Sequence, residues 1–211
     1  APEETQPRPF TPDTKMRIAS VSKLAVTMTA LSLHDEGLLD LDADVQRWWP
    51  GLRNPAYPDV PITIAQLLSH RSSLIDPEVY WLAVPGKIES LVTEEAFGRR
   101  GPPGEWFSYC NLNYGIAATI LERAAKTRFD RLARERALEP IGIDGTGFNW
   151  SGVSRTDRRA GATRYRKVDG VWMVQTDGAE ALAGNDPVGL REEGFDLRDY
   201  VIGTNGTLFS P

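Results

Sequence analysis

A helical pattern that opens at Ser20 and closes at Gly37 constrains this chain more than any other segment. Val21, Leu24, Ala25, Met28 and Leu31 recur at three- and four-residue spacing. That periodicity predicts one apolar face, which another layer of the fold must cover. Gly37 suits the left-handed turn that ends a helix. The first turn of the segment reads Ser20-Val21-Ser22-Lys23, and Ser20 is the sole serine of the chain with a lysine three residues on. Positions i and i+3 share a helix face, so the Lys23 amine falls within reach of the Ser20 hydroxyl. A hydroxyl is a weak nucleophile until a base takes its proton, and a lysine whose charged form is disfavoured by burial is a competent base. A helix start also favours developing negative charge. Taken alone, the motif equally fits a capping serine beside a solvated lysine.

Composition narrows the remaining chemistry. One cysteine among 211 residues excludes an intrachain disulfide. Two histidines, His34 and His70, exclude a zinc site built of several His ligands. A mixed site using Cys110 or carboxylates stays open, but no spacing resembles a metal-ligand set. A net charge of −5 argues against nucleic acid as the main partner, since phosphate binding needs a basic face. Hydrophobic residues at 41% and charged residues at 25% match an ordinary globular chain. The longest apolar stretch, residues 24–33, is broken by Thr27, Thr29 and Ser32 and is too short for a membrane span.

Residues 1–14 read as an extended lead-in, and residues 38–61 as a surface excursion of alternating Asp, Leu and Pro. Thr63 and Gln66 form a capping box that predicts a short helix over 64–69. Residues 71–108 form a long connection, of the kind that often carries function. Helices are predicted over 113–126 and 129–138, the second stopped by Pro140. Asp169-Gly170, flanked by Tyr165 and Val171-Trp172-Met173-Val174, predicts a β-hairpin. One domain is expected, with a nucleophile segment and helical region over 1–150 and a loop-rich segment over 151–211.

Tyr109-Cys110-Asn111, the sole Tyr-x-Asn of the chain, stands before the third helix. A tyrosine near a lysine ammonium can shuttle protons. An asparagine two residues on offers a donor and an acceptor to a substrate amide. A packed tyrosine with Asn111 as helix cap is the alternative that the residues leave open. Cys110, placed between them, is a small and reactive neighbour or half of a Cys110–His70 nucleophile pair. Tyr80, Trp81 and Trp106 lie nearest the motifs and are candidates for a substrate-binding wall.

Ser20-Val21-Ser22-Lys23 together with Tyr109-Cys110-Asn111 resembles the penicillin-recognising serine hydrolases. More narrowly, it is similar to the branch of class C β-lactamases, D-alanyl-D-alanine carboxypeptidases and β-lactamase-like esterases. Further segments fit in order: Arg17-Ile18-Ala19, Gly37-Leu38-Leu39-Asp40, Ile62-Thr63-Ile64, Leu67-Leu68-Ser69-His70, Asn113-Tyr114-Gly115 and Leu138-Glu139-Pro140-Ile141-Gly142. The likeness covers residues 9–149 and continues more faintly. It implies an α+β, β-lactamase/D,D-peptidase-like fold without cofactor or metal. It also implies roles: Ser20 as acylated nucleophile, Lys23 as proton acceptor or electrostatic support, Tyr109 as base and then acid, and Asn111 as substrate-orienting amide. The Ser20 N–H would supply half of the oxyanion hole.

Two departures bear on these expectations. A third motif such as Lys-Thr-Gly or His-Thr-Gly is absent, and Lys126-Thr127-Arg128 lacks the glycine. Ser73 stands where the resemblance suggests glycine, which predicts backbone strain if φ is positive there. The chain is therefore expected to hold mainly the helical part of the fold, with flanking strands of the antiparallel sheet missing and a second chain or segment completing it. Native sequence beyond Pro211 tests this, and a stop codon there overturns it. The expected function is a serine hydrolase of ester, peptide or lactam carbonyls, most nearly an esterase or peptidase. A dedicated β-lactamase, a penicillin-binding sensor without turnover and a helical interaction domain are its rivals. The family resemblance implies a periplasmic or secreted bacterial protein, with a small-molecule substrate and neither nucleic acid nor a membrane span.

Overall fold

Helix α1 spans Lys23–Asp35 and follows a tight 3-10 turn at Ala19–Ser22. The structure is a computed structural model that describes residues 9–78, 80, 88–143, 148, 162–163, 165–174 and 209–210. The buried face of α1 is Ala25, Val26, Thr29, Ala30 and Leu33, whereas Val21, Leu24 and Leu31 are exposed. This corrects the face expected from periodicity. Val26, Ala30 and Leu33 also keep three- and four-residue spacing, so two apolar stripes compete on one helix. Small Ala25 and Ala30 allow close approach, and Thr29 satisfies its hydroxyl on the Ala25 carbonyl (2.7 Å), so it packs as an apolar residue. At the C-terminus the Leu38 and Gly37 N–H groups bond the Leu33 and His34 carbonyls (2.9 Å each). Gly37 has φ +72°, the left-handed closure that its type favours.

Residues 38–61 are not a surface excursion. Leu39, Val45, Trp49 and Leu52 from this stretch are buried in the core. Two backbone bonds hold the segment inward: Val45 N–H to the Ile62 carbonyl and Ala65 N–H to the Leu41 carbonyl (2.9 Å each). Asp44 caps the turn Val45–Arg47 by accepting the Gln46 N–H (3.0 Å) and pairs with Arg53. The hydrogen bond from Arg53 holds its carboxyl below the usual range.

Helix α2, Ile64–Leu68, starts on the expected capping box. Thr63 Oγ1 accepts the Gln66 N–H (3.2 Å) and Gln66 Oε1 accepts the Thr63 N–H (3.1 Å). Helix α3, Leu112–Ala125, is the buried centre, packed against both α1 and α2. Helix α4, Phe129–Ala133, runs on as a wider π-turn over Arg134–Leu138 rather than as one regular helix. Leu33, Ile64, Leu67, Ile116, Ile120 and Phe129 are fully buried where these helices meet.

Strands are short. β1 (Met16–Arg17) pairs antiparallel with β4 (Phe209–Ser210), with Met16 opposite Ser210. β2 (Tyr165–Val168) and β3 (Val171–Val174) form the expected hairpin. Asp169 and Gly170 have φ +49° and +86°, the two positive values that a type I′ turn needs. The architecture is α+β with the helices dominant among the described residues. The expected boundary near residue 150 lies outside those residues.

Candidate active site

The segment entering α1 from β1 bends sharply at Ala19, a non-glycine residue with φ +45°. Such a conformation costs about 1 kcal/mol or more and persists where the surroundings enforce it. It sets Ser20 on the exposed first turn, one turn before Lys23. Because α1 packs on α3, Lys23 faces the start of α3, where Tyr109 and Asn111 stand.

Four sequence-predicted residues converge there. Lys23 Nζ donates to Ser20 Oγ (3.1 Å), Tyr109 Oη (2.7 Å) and Asn111 Oδ1 (2.9 Å). Ser20 Oγ and Tyr109 Oη are 2.7 Å apart. Lys23 Nζ also lies 4.8 Å from the Tyr109 ring centroid and 5.4 Å from that of Tyr114. Partial burial opposes ionisation of Tyr109. The hydrogen bonds from Lys23 and Ser20 and the lysine charge outweigh it, so the phenol titrates below its usual range. Tyr109 remains 48% exposed, so the group lies at the surface.

His70 props this group from behind. It has φ +57° and only 9% exposure. Its Nδ1 accepts the Cys110 N–H (3.2 Å), so the ring proton belongs on Nε2. The ring lies 4.5 Å from that of Tyr109 and 5.2 Å from that of Tyr114. Burial, then the charge of Lys23, holds its pKa below the usual value. The next residues anchor to α3 and to the following loop. Ser72 Oγ donates to Asn113 Oδ1 (2.5 Å), and Tyr114 donates to the Leu68 carbonyl (2.7 Å). Ser73 adopts the strained φ expected for it, +67°, and its hydroxyl accepts from Asn54 (2.9 Å).

The Cys110 thiol is buried beside Asp76. The residue is fully buried, and burial pushes its thiol far above the usual range, which removes the thiolate that a nucleophile needs. The Cys110–His70 contact is made by the backbone N–H, not the sulfur. This corrects the expectation of a reactive neighbour.

Asp76, which sequence reasoning missed, stands beside Asn111. Its Oδ2 accepts from Asn111 Nδ2 (2.8 Å) and its Oδ1 from the Leu112 N–H (2.9 Å). Asn111, at the cap position of α3, makes no side-chain cap of its own; Asp76 caps from another loop. The available signal was Asp76 directly before Pro77, a pattern of turns and caps. Trp106 stands elsewhere in the loop. Its N–H bonds the Gly101 carbonyl (2.9 Å), and its ring lies so close to Gly98 that a Cβ there would come within 2.8 Å. Tyr80 is half-buried four residues beyond Asp76, and Trp81 lies outside the described residues. Among the described residues no three His, Cys, Asp or Glu side chains gather as a metal site needs. Nor is any helix among them long and apolar enough to cross a membrane.

Comparison with known proteins follows the same lines. The sequence model of the family described as Beta-lactamase matches residues 2–201. Penicillin-binding protein 4* of Bacillus subtilis is 27% identical over 152 residues, which are 68% of this chain and 33% of the relative. Monacolin J acid methylbutanoyltransferase of Aspergillus terreus is 29% identical over 211 residues, covering 83% of this chain and 50% of the relative. The chain thus spans a third to a half of the length of these relatives. The crystal structure of FmtA from Staphylococcus aureus superposes with a TM-score of 0.70 at 15% identity. It covers 95% of this chain and 50% of FmtA, a likeness of fold.

Proposed function

Because this chain belongs to the beta-lactamase family, we propose that it is a serine hydrolase. It attacks ester, peptide or lactam carbonyls through an acyl-enzyme on Ser20. The observation that supports this reading is the shared contact of Lys23 Nζ with Ser20, Tyr109 and Asn111. An ammonium group has three donors and no acceptor, and three acceptors surround it here. Lys23 therefore serves as the fixed cation of the site, and Tyr109 is the proton carrier.

Ser20 Oγ attacks the carbonyl carbon while its proton passes to the Tyr109 phenolate across their 2.7 Å contact. The carbonyl π pair moves onto oxygen, where the Ser20 N–H in the first turn is one donor of the oxyanion hole. Collapse re-forms the carbonyl and expels the alkoxide or amine, which takes the proton back from Tyr109. Water then attacks the acyl-enzyme. Tyr109 accepts its proton and passes it to the departing Ser20 Oγ, releasing the carboxylic acid. Asn111 orients an amide or ester of the acyl group. No step needs a metal or organic cofactor.

Esterase or peptidase-like turnover ranks above a dedicated β-lactamase, since nothing in the four residues selects lactams. Acyl transfer to an alcohol is the second reading. It is supported by the methylbutanoyltransferase among the relatives, and it differs only in what attacks the acyl-enzyme. A periplasmic or secreted bacterial location is proposed from the family. The test compares p-nitrophenyl butyrate and nitrocefin turnover and labelling by a fluorescent penicillin. Ester turnover should exceed lactam turnover, and Ser20→Ala should lower both by about three orders of magnitude or more. Lactam turnover far above ester turnover reverses the ranking, and stable labelling without turnover assigns a sensor. Unchanged activity in Ser20→Ala removes the serine mechanism.

A further inference from the structure

Asn111 sits between a cation and an anion. Lys23 Nζ donates to its Oδ1, and Asp76 Oδ2 accepts from its Nδ2. Both neighbours demand the same amide orientation. The reversed amide would aim N–H at the ammonium and oxygen at the carboxylate. The other oxygen of Asp76 takes the Leu112 N–H at the start of α3, so the carboxylate ties the Asn111 side chain to the backbone of the helix that carries it. Asp76 reaches this place from the loop after Ser73, which is itself held by the Asn54 and Gly98 contacts to Ser73.

We propose that Asp76 is a positioning residue that sets the amide plane of Asn111 and thereby the site's preference for acyl groups carrying an amide. The inference rests on the serine-hydrolase reading above. With Nδ2 committed on one hydrogen to Asp76, its second hydrogen has a fixed direction and can meet a carbonyl oxygen in the acyl chain. Acyl groups that lack an amide make no use of it.

The variant that separates this role from a structural one is Asp76→Asn. Its Oδ1 still accepts the Leu112 N–H, so the start of α3 stays capped, but its Nδ2 meets Asn111 Nδ2, donor against donor. In the full chain, kcat/KM for p-nitrophenyl N-acetylglycinate should fall about tenfold, while that for p-nitrophenyl acetate stays within about twofold. Introduced into Asn111→Ala, the same change should have no further effect, because Asp76 then has nothing to position. Equal losses on both esters, or an undiminished loss in the Asn111→Ala background, overturns the proposal. NMR of the Asn111 side-chain amide provides a readout independent of turnover. One Nδ2 proton should exchange slowly in the parent chain and fast in Asp76→Asn, and fast exchange in the parent also overturns the proposal. Turnover surviving Ser20→Ala would instead sink the serine reading while leaving the NMR result standing.

Discussion

His70 shows how one side chain meets two demands at once. Its backbone occupies the left-handed region, and its Nδ1 accepts the Cys110 N–H beside Tyr109. Asparagine tolerates that φ, and its Oδ1 reaches the place of Nδ1. Leucine meets neither demand. In the full chain, His70→Asn should keep ester kcat/KM within about threefold, whereas His70→Leu should lose about tenfold or more. Equal losses in both would show that the ring, not the acceptor, matters. Spacing made Ser20, Lys23, Tyr109 and Asn111 legible in the sequence, since each pair lies within one turn or two residues. Asp76 was harder to read, because its partner is 35 residues away and Asp76-Pro77 signals a turn or cap without telling which helix it serves. The packing of Trp106 on the loop glycines was equally hard to read. Proximity to a motif along the chain does not determine where a ring packs, and the glycines at 98 and 101 took this one.

At the scale of elements, ends were more legible than faces. The Thr63–Gln66 box, Gly37 and Asp169-Gly170 each act through a local hydrogen bond or φ value, so four residues suffice to read them. The buried face of α1 depends on what packs against it, and two apolar stripes satisfied the same period. The loop of residues 38–61 misled for the opposite reason, because Leu39, Val45 and Leu52 follow no helical period and yet face the core. The α1 assignment can be tested by overpacking. Ala30 has no exposed surface, so Ala30→Leu should cost about 1–3 kcal/mol in urea denaturation. Leu31→Ala, on the exposed stripe, should cost less than about 1 kcal/mol. The reverse order would restore the face read from the sequence.

For the whole molecule, two buried groups set opposing responses to pH. Glu122 on α3 is 1% exposed; its Oε1 accepts the Phe129 N–H (2.7 Å) at the start of α4, and its Oε2 has no hydrogen-bond partner among the described residues. Burial raises its folded pKa well above 4.5, with the charge of Asp130 adding to it and Arg128 and Arg123 opposing. Above pH 4.5 the unfolded chain therefore loses a proton that the folded chain keeps, and stability falls as pH rises through that window. His70 has the reverse sign. Its folded pKa lies below 6.5, through burial first and then Lys23, with Asp76 opposing. Below pH 6.5 the unfolded chain gains a proton that the folded chain refuses, so stability falls as pH drops. Between 4.5 and 6.5 the two slopes oppose each other, each at most about 1.4 kcal/mol per pH unit. Glu122→Gln removes the first slope, so its stability relative to the parent should grow with rising pH above 4.5. His70→Asn removes the second, so its relative stability should grow with falling pH below 6.5. Urea denaturation of the three chains across pH 4.5–7.5 measures both trends, and because every other titrating group is common to them, the differences isolate these two. Parallel curves for parent and Glu122→Gln would mean that Glu122 titrates normally and that the α3–α4 junction admits its charge.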